Sequence, residues 1–331
     1  MNLKPWIQSA RLRTLPLALS GVLLSWGMNF MSEHSNPQWD LFILALFTAI
    51  SLQILSNFAN DYGDFKKGTD ARAERSDRML TAGLISEGAM KNALIFFSLL
   101  SFCFGMLMLW ISFNRHFHLS FSELFRSNAF LIFLSVGILS IASAIFYTVG
   151  KRAYGYSGLG DIFVFIFFGL VPVLGMVFLF GMHQIHVEHI LGAMGMGLLS
   201  TAVLNVNNYR DLKSDKESNK KTIAVILGEK WTLVYHRLLL VFGFLGISFS
   251  AMLFINRLFN YGILIYSPEM LWVLGIFAPS AILLSRHFSE LKELKPGNRE
   301  KINPQLKQLS LTILLSVLIY LFLSFWVFQT L

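Results

Sequence analysis

Residues 159–182 read LGDIFVFIFFGLVPVLGMVFLFGM, a stretch with one charged side chain, Asp161, and one internal proline, Pro172. A helix needs roughly 20 apolar residues to cross the hydrocarbon core of a bilayer, which is about 30 Å thick. Similar runs, without period-two alternation, recur along the 331-residue chain, which is 55% hydrophobic and only 14% charged. Soluble domains carry about 25% charged residues. The sequence therefore predicts an all-α integral membrane protein.

Nine apolar runs predict a bundle of nine transmembrane helices, since backbone groups in lipid must be paired within a helix. Lys and Arg concentrate in the N-terminal arm and after the second, fourth, sixth and eighth runs, so these segments are expected to face the cytoplasm. This pattern predicts a cytoplasmic N-terminus and an outside C-terminus. The Lys-, Glu- and Pro-rich segment 287–307 is interpreted as a solvated connection. The nine runs lie near 15–32, 41–59, 92–113, 128–148, 159–182, 188–206, 232–255, 268–286 and 308–328.

We expect one transmembrane domain over residues 1–331, with cytoplasmic cap segments near 60–91, 149–158 and 207–231. The single cysteine, Cys103, excludes an intramolecular disulfide and a cysteine-based metal cluster. The formal net charge is +8. In so apolar a chain this charge indicates basic segments against an anionic lipid surface, and no nucleic acid partner is expected.

A polar sequence is repeated where the second and sixth predicted spans end. Residues 60–66 read NDYGDFK and residues 207–213 read NNYRDLK. In each copy an Asn and an Asp are four residues apart and share one helix face. Polar residues at a water-exposed helix end would explain one such cluster. A second copy at the matching position of another helix favours a functional role, because ionisable residues at membrane depth cost free energy. Asn57, Asp61 and Asp64 form a further i, i+4, i+7 set in the first copy, and Asn207, Asp211 and Asp215 continue as i, i+4, i+8 in the second.

Carboxylate and amide oxygens are hard ligands that suit Mg²⁺. Basic residues follow each cluster, and Mg²⁺ combined with Lys and Arg is suited to binding a diphosphate. At a membrane face, above a bundle with 32 Phe, the expected substrate is a lipid diphosphate. Ionisation of an allylic chain would leave a carbocation that aromatic ring faces stabilise. The basic residues concerned are Arg11, Arg13, Lys66, Lys67, Arg72, Arg78, Lys213, Lys220 and Lys221.

These motifs resemble those of the UbiA superfamily of intramembrane prenyltransferases. NDYGD at 60–64 with KGTD at 67–70 is similar to the family's first aspartate-rich motif, and NNYRD at 207–211 with Asp215 is similar to the second. The form of the motifs is most like the MenA branch, the 1,4-dihydroxy-2-naphthoate polyprenyltransferases. Further residues that carry this likeness are RLRTLP at 11–16, YGY at 154–156, GLGD at 158–161 and KTIAV at 221–225.

The resemblance implies a set of functional residues. Asp61, Asp64, Asp211, Asp215 and Asp161 are expected to be catalytic, with Asp161 beside the cavity, where it would orient the acceptor. Asp61 and Asn207 would support the metal ligands. The expected Mg²⁺ ligands are Asn60, Asp64, Asp211 and Asp215, and the expected diphosphate contacts are Arg13, Lys67, Lys221, Asn57 and Asn207.

The resemblance further implies transfer of a polyprenyl chain from an allylic polyprenyl diphosphate to 1,4-dihydroxy-2-naphthoate. Carbon dioxide and diphosphate would be lost and demethylmenaquinone formed, in the inner membrane of a bacterium. Gly68 stands where relatives that act on 4-hydroxybenzoate tend to carry Asp, and Leu12 stands where the family usually has Pro. The alternatives are another aromatic acceptor such as 4-hydroxybenzoate, a secondary transporter with internal repeats, and a non-catalytic scaffold.

Overall fold

The computed structural model describes residues 3–32, 37–69, 78–182, 184–259 and 271–330. Within these ranges every regular element is helical, as the apolar runs predict. We number the helices α1 (Leu3–Ala10), α2 (Leu15–Ser32), α3 (Trp39–Lys66), α4 (Glu87–Phe117), α5 (Phe121–Leu124), α6 (Asn128–Phe146), α7 (Gly160–Leu179), α8 (Val187–Glu217), α9 (Ile223–Phe259), α10 (Leu271–Ile276), α11 (Ala278–Lys292) and α12 (Arg299–Thr330).

Seven of these helices are long and apolar enough to cross a membrane: α3, α4, α6, α7, α8, α9 and α12. They correspond to the second to seventh and the ninth predicted spans. The first predicted span corresponds to the 18-residue helix α2. The eighth corresponds to α10 and α11, which break at Phe277, and its first residues lie outside the described ranges. Nine spans and the orientation of the termini therefore remain predictions.

The helix α7 is irregular in its middle. Residues Ile166–Gly175 are wound as a π-helix that contains Pro172, which has no N–H to donate along the helix. Gly169 in this turn lies against α8, because a Cβ added there would sit 2.4 Å from the Cα of Gly197. Such backbone contact requires glycine on both sides and brings α7 and α8 close together.

The buried apolar residues form two main clusters on either side of a cavity. One lies around α8, α9 and α12, with Met196, Ile247 and Tyr320 fully buried. The other lies around α2, α4 and α7, with Trp26 and Phe113 in its centre. Between them, α2, α3, α4, α6, α7 and α8 line a cavity of about 530 Å³. This arrangement leaves a large, mainly apolar space among the described helices.

Segment 287–307 is packed on the bundle, so the interpretation as a solvated connection is wrong for its buried part. Leu291 and Ile302 are both 0% exposed. The Gly297 N–H donates to the Arg210 carbonyl oxygen at 3.0 Å, and the Tyr209 hydroxyl donates to the Leu294 carbonyl oxygen at 2.7 Å. The apolar residues interspersed among its charges bury against α8 and bring the segment onto the second repeated motif.

Candidate active site

The two repeated motifs meet at one end of the cavity, which we refer to as the polar end (residues 60–69, 147–161 and 207–222). Asn60 of the first motif and Asn207 of the second both line the cavity, together with Arg11 and Arg13 of the N-terminal arm. Both motifs are still helical, because α3 continues to Lys66 and α8 to Glu217. The i, i+4 spacing in each motif therefore corresponds to a shared helix face.

Asp64 of the first motif and Asp215 of the second act on the same cation. The Nζ of Lys220 lies 3.6 Å from an Asp215 carboxylate oxygen. Burial lowers the pKa of Lys220, but the carboxylates of Asp215 and Asp64 outweigh it and hold the pKa above its usual value. Tyr156 connects the two motifs, because its hydroxyl donates to Asp64 Oδ1 at 2.8 Å and its ring centroid lies 5.3 Å from Lys220 Nζ.

The Asp61 carboxylate binds side chains from two other segments of the chain. Its carboxylate accepts a hydrogen bond from Ser9 Oγ at 2.8 Å and from Arg11 Nη2 at 2.5 Å, and it pairs with Arg78. Arg11 has a left-handed backbone (φ 50°), which is uncommon outside glycine. Arg78 also lies 3.9 Å from an Asp64 oxygen. Asp61 thus neutralises two guanidinium groups at the polar end.

Asp211 is held by two arginines as well, one of which comes from a distant part of the chain. Arg210 donates to both Asp211 oxygens, from Nε at 3.0 Å and from Nη2 at 2.5 Å. Arg299, in α12, lies 3.4 Å from Asp211 Oδ1. Arg210 also donates to Asn207 Oδ1 at 2.7 Å and to Asn303 Oδ1 at 2.8 Å. Arg299 and Asn303 were missed by the sequence analysis, since no local motif marks them.

The predicted diphosphate contacts differ in their surroundings. Arg13 lines the cavity. Asn57 also lines it, and its Nδ2 donates to the Ala10 carbonyl oxygen at 2.9 Å. Lys67 lies over the Tyr156 ring, 3.6 Å from Nζ to centroid. Its pKa is lowered by burial, which Asp64 partly opposes. Lys221 is exposed, while its neighbour Lys220 is buried and faces the carboxylates.

Asp161, at the start of α7, is buried and accepts a hydrogen bond from the Tyr235 hydroxyl at 3.0 Å. Asp70, in the tail of the first motif, lies outside the described residues. Gly160, the neighbour of Asp161, packs on Tyr147, since a Cβ added to Gly160 would lie 3.1 Å from Tyr147 Cε2. Asp161 thus follows a close contact with Tyr147, which lines the cavity.

Aromatic rings line the cavity next to the polar end. The Tyr154 ring stacks on Phe163 with centroids 4.0 Å apart, and Tyr147 meets Tyr154 edge-on at 5.4 Å. Tyr147, Tyr154, Phe163 and Phe167 all line the cavity. Ring faces stabilise a nearby cation without a counter-charge. The sequence could not indicate which of its many aromatic residues lie here.

The donor set fits a hard divalent cation. Among the described residues, no group of three or more His, Cys, Asp or Glu side chains gathers as a metal site. However, Oδ1 of Asn60 is buried and finds no hydrogen-bond partner in the described part of the chain. Buried acceptors are normally satisfied, and an amide oxygen beside Asp64 suits Mg²⁺, which completes its coordination with phosphate oxygens and water.

Comparison with known proteins agrees with this arrangement. The UbiA prenyltransferase family matches residues 20–303. The chain belongs to this family. A 1,4-dihydroxy-2-naphthoate octaprenyltransferase from Haemophilus influenzae is 42% identical over 240 residues, 72% of this chain and 74% of that protein. A protein of the same name from Escherichia coli is 36% identical over 327 residues, 97% of this chain and 96% of that protein.

Solved UbiA homologues share the fold. The structure of one from Archaeoglobus fulgidus, bound to GPP and Mg²⁺, has a TM-score of 0.59 at 13% identity and covers 98% of this chain and 99% of that one. The apo structure of another, from Aeropyrum pernix, has a TM-score of 0.56 at 16% identity, over 96% and 98% of the two chains. The predictions of a UbiA-like fold and of a membrane prenyltransferase are confirmed.

Proposed function

We propose that this UbiA-family protein transfers a polyprenyl chain from an allylic polyprenyl diphosphate to 1,4-dihydroxy-2-naphthoate, forming demethylmenaquinone. Relatives named for this acceptor are 36% and 42% identical to the chain and align over most of it. Their names support the predicted acceptor over 4-hydroxybenzoate. We further propose that the chain is a single domain in the inner membrane of a bacterium, with the polar end on the cytoplasmic side.

One observation carries the proposal: both Asn/Asp motifs border the same apolar cavity, through Asn60 and Asn207. A polyprenyl diphosphate has a multiply negatively charged head and a long apolar tail. The polar end supplies charged and amide groups for the head, and the 530 Å³ cavity supplies apolar walls for the tail. A non-catalytic scaffold would not need charged groups at one end of an apolar cavity. A secondary transporter is disfavoured because the motifs lie at helix ends and not at the membrane midplane.

The residues that would hold Mg²⁺ are Asn60, Asp64, Asp211 and Asp215. When bound, the metal would neutralise negative charge on the diphosphate and so favour its departure. The proposed cationic contacts to the diphosphate are Arg13, Lys67 and Lys221. Further positive charge near the polar end comes from Lys220 and Arg11. Asn57 and Asn207 are proposed to complete the contacts through their amides.

The bond changes balance without an external oxidant. The allylic carbon–oxygen bond breaks with its electron pair leaving on the diphosphate, and the naphthoate ring attacks the allylic carbon. The ring then loses its carboxylate as carbon dioxide, so the product forms at the hydroquinone level of demethylmenaquinone. The rings of Tyr147, Tyr154 and Phe163 line the cavity where positive charge would develop, and there they would stabilise it.

Asp161 is proposed to orient the acceptor. Tyr235 holds one of its carboxylate oxygens at 3.0 Å, so the carboxylate is fixed in direction while its other oxygen can accept from a phenolic hydroxyl. Its position near Tyr147 puts it beside the aromatic part of the cavity. The acceptor hydroxyl would thus be held while the allylic chain approaches the ring.

An assay of the full chain purified in detergent tests this function. The protein is incubated with an octaprenyl diphosphate, Mg²⁺ and either 1,4-dihydroxy-2-naphthoate or 4-hydroxybenzoate, and prenylated product and carbon dioxide are measured. We expect product with the naphthoate only. Product with 4-hydroxybenzoate only would contradict the acceptor, and no product with either, from folded protein, would contradict the transferase function.

A further inference from the structure

Tyr156 contacts the ends of both motifs, although it belongs to neither. It lies in a single 3₁₀ turn, Tyr154–Tyr156, between α6 and α7. Its hydroxyl, its ring and its carbonyl oxygen each contact a different part of the polar end. A residue that makes contacts in three directions constrains the relative position of the groups it touches.

The hydroxyl is oriented toward the first motif. Tyr156 donates to Asp64 Oδ1 at 2.8 Å, since a carboxylate can only accept. Because that O–H is then used, the second hydrogen bond, 2.8 Å from Thr69 Oγ1, is donated by Thr69. Asp64 and Thr69 are 1% and 5% exposed, so the chain of two hydrogen bonds is shielded from water. It fixes the direction of Asp64 Oδ1, while Asp64 Oδ2 faces Arg78 Nη2 at 3.9 Å.

The ring lies between lysines from both motif tails. The Nζ of Lys67, which follows the first motif, lies 3.6 Å from the ring centroid, and the Nζ of Lys220, which follows the second, lies 5.3 Å from it. The Tyr156 carbonyl oxygen also accepts from the Lys221 N–H at 3.2 Å. Cation–π attraction of this kind holds ammonium groups near a ring. Without the ring, the like-charged ammonium groups of Lys67 and Lys220 would lose the attraction that holds them near each other.

We propose that Tyr156 is a positioning residue that holds Lys67 and Lys220 on its ring and Asp64 on its hydroxyl, so that the two motif ends form one diphosphate site. The inference rests on the proposed function, because it assumes that a diphosphate binds at the polar end. Tyr156 itself need not touch the substrate. Its effect is exerted through the lysines and the aspartate, and it should appear in diphosphate binding rather than in acceptor binding.

Calorimetric titration of the detergent-purified full chain with inorganic diphosphate in the presence of Mg²⁺ tests this role without turnover. We expect Tyr156→Phe, which keeps the ring, to weaken binding about fivefold, the scale of the net contribution of one typical hydrogen bond. Tyr156→Leu, which removes ring and hydroxyl, should weaken it by about 50-fold, since cation–π contacts are lost in addition. The KM for prenyl diphosphate should rise in parallel, and the KM for the acceptor should change less than twofold.

Tyr62→Phe is the matched control. Tyr62 belongs to the first motif, but its hydroxyl donates to Glu87 at 3.4 Å and neither residue is among those that line the cavity, so we expect wild-type binding. Combining Tyr156→Leu with Lys67→Met should weaken binding less than the sum of the single effects, because both remove one contact. If folded Tyr156→Phe and Tyr156→Leu both bind diphosphate with wild-type affinity, the proposed role of Tyr156 is wrong. It is also wrong if the effects of Tyr156→Leu and Lys67→Met on binding are strictly additive. If Tyr156→Leu does not fold, Tyr156→Phe still decides. Wild-type protein that binds no diphosphate would overturn the proposed function itself.

Discussion

The two motifs carry the same residue at four of seven positions, yet their carboxylates have different partners. In the first motif, Asp61 pairs with Arg11 and Arg78, and Asp64 accepts from a tyrosine hydroxyl. In the second, Asn208 stands at the position of Asp61, and the arginines pair with Asp211 instead. The carboxylate with the shortest arginine contacts is therefore the second residue of one copy and the fifth residue of the other.

This difference arises from what each motif packs against. The first motif lies beneath the N-terminal arm, whose Ser9 and Arg11 approach Asp61. The second lies beneath the start of α12, whose Arg299 approaches Asp211. A repeat in sequence thus preserves the helix end and the side-chain spacing, while non-repeated neighbours decide which carboxylate is neutralised. In consequence Asp64 and Asp215 form a matched pair. Lys220 lies 3.6 Å from Asp215 and 5.3 Å from the ring of Tyr156. The Tyr156 hydroxyl binds Asp64, whereas Asp211 is bound by Arg210.

The largest effect should follow loss of either half of the matched pair. We expect Asp64→Ala and Asp215→Ala each to lower kcat/KM by at least about 10²–10³-fold, the scale seen when one preorganised electrostatic group is removed. Both variants also leave the buried Lys220 with one carboxylate fewer. Prenyl transfer measured in detergent checks this. Near-normal turnover in either variant would contradict the proposal that both motifs hold one diphosphate.

The fold was largely predictable because membrane helices follow from local composition. Seven of the nine predicted spans correspond to long apolar helices, and the motif spacing was correct because α3 and α8 stay helical through it. Pro172 and Pro279 lie inside the fifth and eighth apolar runs and predict kinks there. The structure has a π-helical segment around Pro172 and a break at Phe277, two residues before Pro279. The π-helical form itself was not predicted.

The site was predictable only in part. The Asn and Asp residues stood out because they repeat, but Arg299 and Asn303 belong to a segment with ordinary charged composition. Their contacts to Asp211 and Arg210 join residues 88 and 93 positions apart. The choice between Lys220 and Lys221 depended on which side chain the turn after α8 buries. Such assignments depend on long-range packing, which periodicity and composition do not encode.

Asp61 offers a second test of the comparison. Asp61→Asn should destabilise the protein by about 3–5 kcal/mol, because it removes the one buried carboxylate that pairs with both Arg11 and Arg78. Its repeat counterpart gives the matched control: Asn208 is buried, and its Oδ1 finds no hydrogen-bond partner in the described residues. Asn208→Ala should therefore cost only about 1 kcal/mol. Denaturant titration in detergent measures both, and equal losses would contradict the unequal roles.

The arginines of the second motif should differ from one another. Arg210 is 2% exposed and binds Asp211, Asn207 and Asn303, whereas Arg299 is 27% exposed and makes a longer contact of 3.4 Å with Asp211. We expect Arg210→Gln to raise the KM for prenyl diphosphate by about 10–30-fold, since it releases hydrogen bonds to charged and buried groups. Arg299→Gln should raise it only about threefold, as partly exposed ion pairs contribute little. The reverse order would show that α12, and not Arg210, orients Asp211.

The smallest effect is expected at a position where the two copies are identical. Lys66 and Lys213 match across the repeat, but both are exposed, and Lys66 pairs with Glu87 outside the cavity. A lysine in the last turns of a helix is favoured by the helix dipole whatever the site requires. Lys66→Gln and Lys213→Gln should therefore each keep turnover within about twofold of wild type, because surface ion pairs are weak. A loss of more than tenfold in either would mean that the repeat preserves site chemistry here, rather than only a pair of similar helix ends.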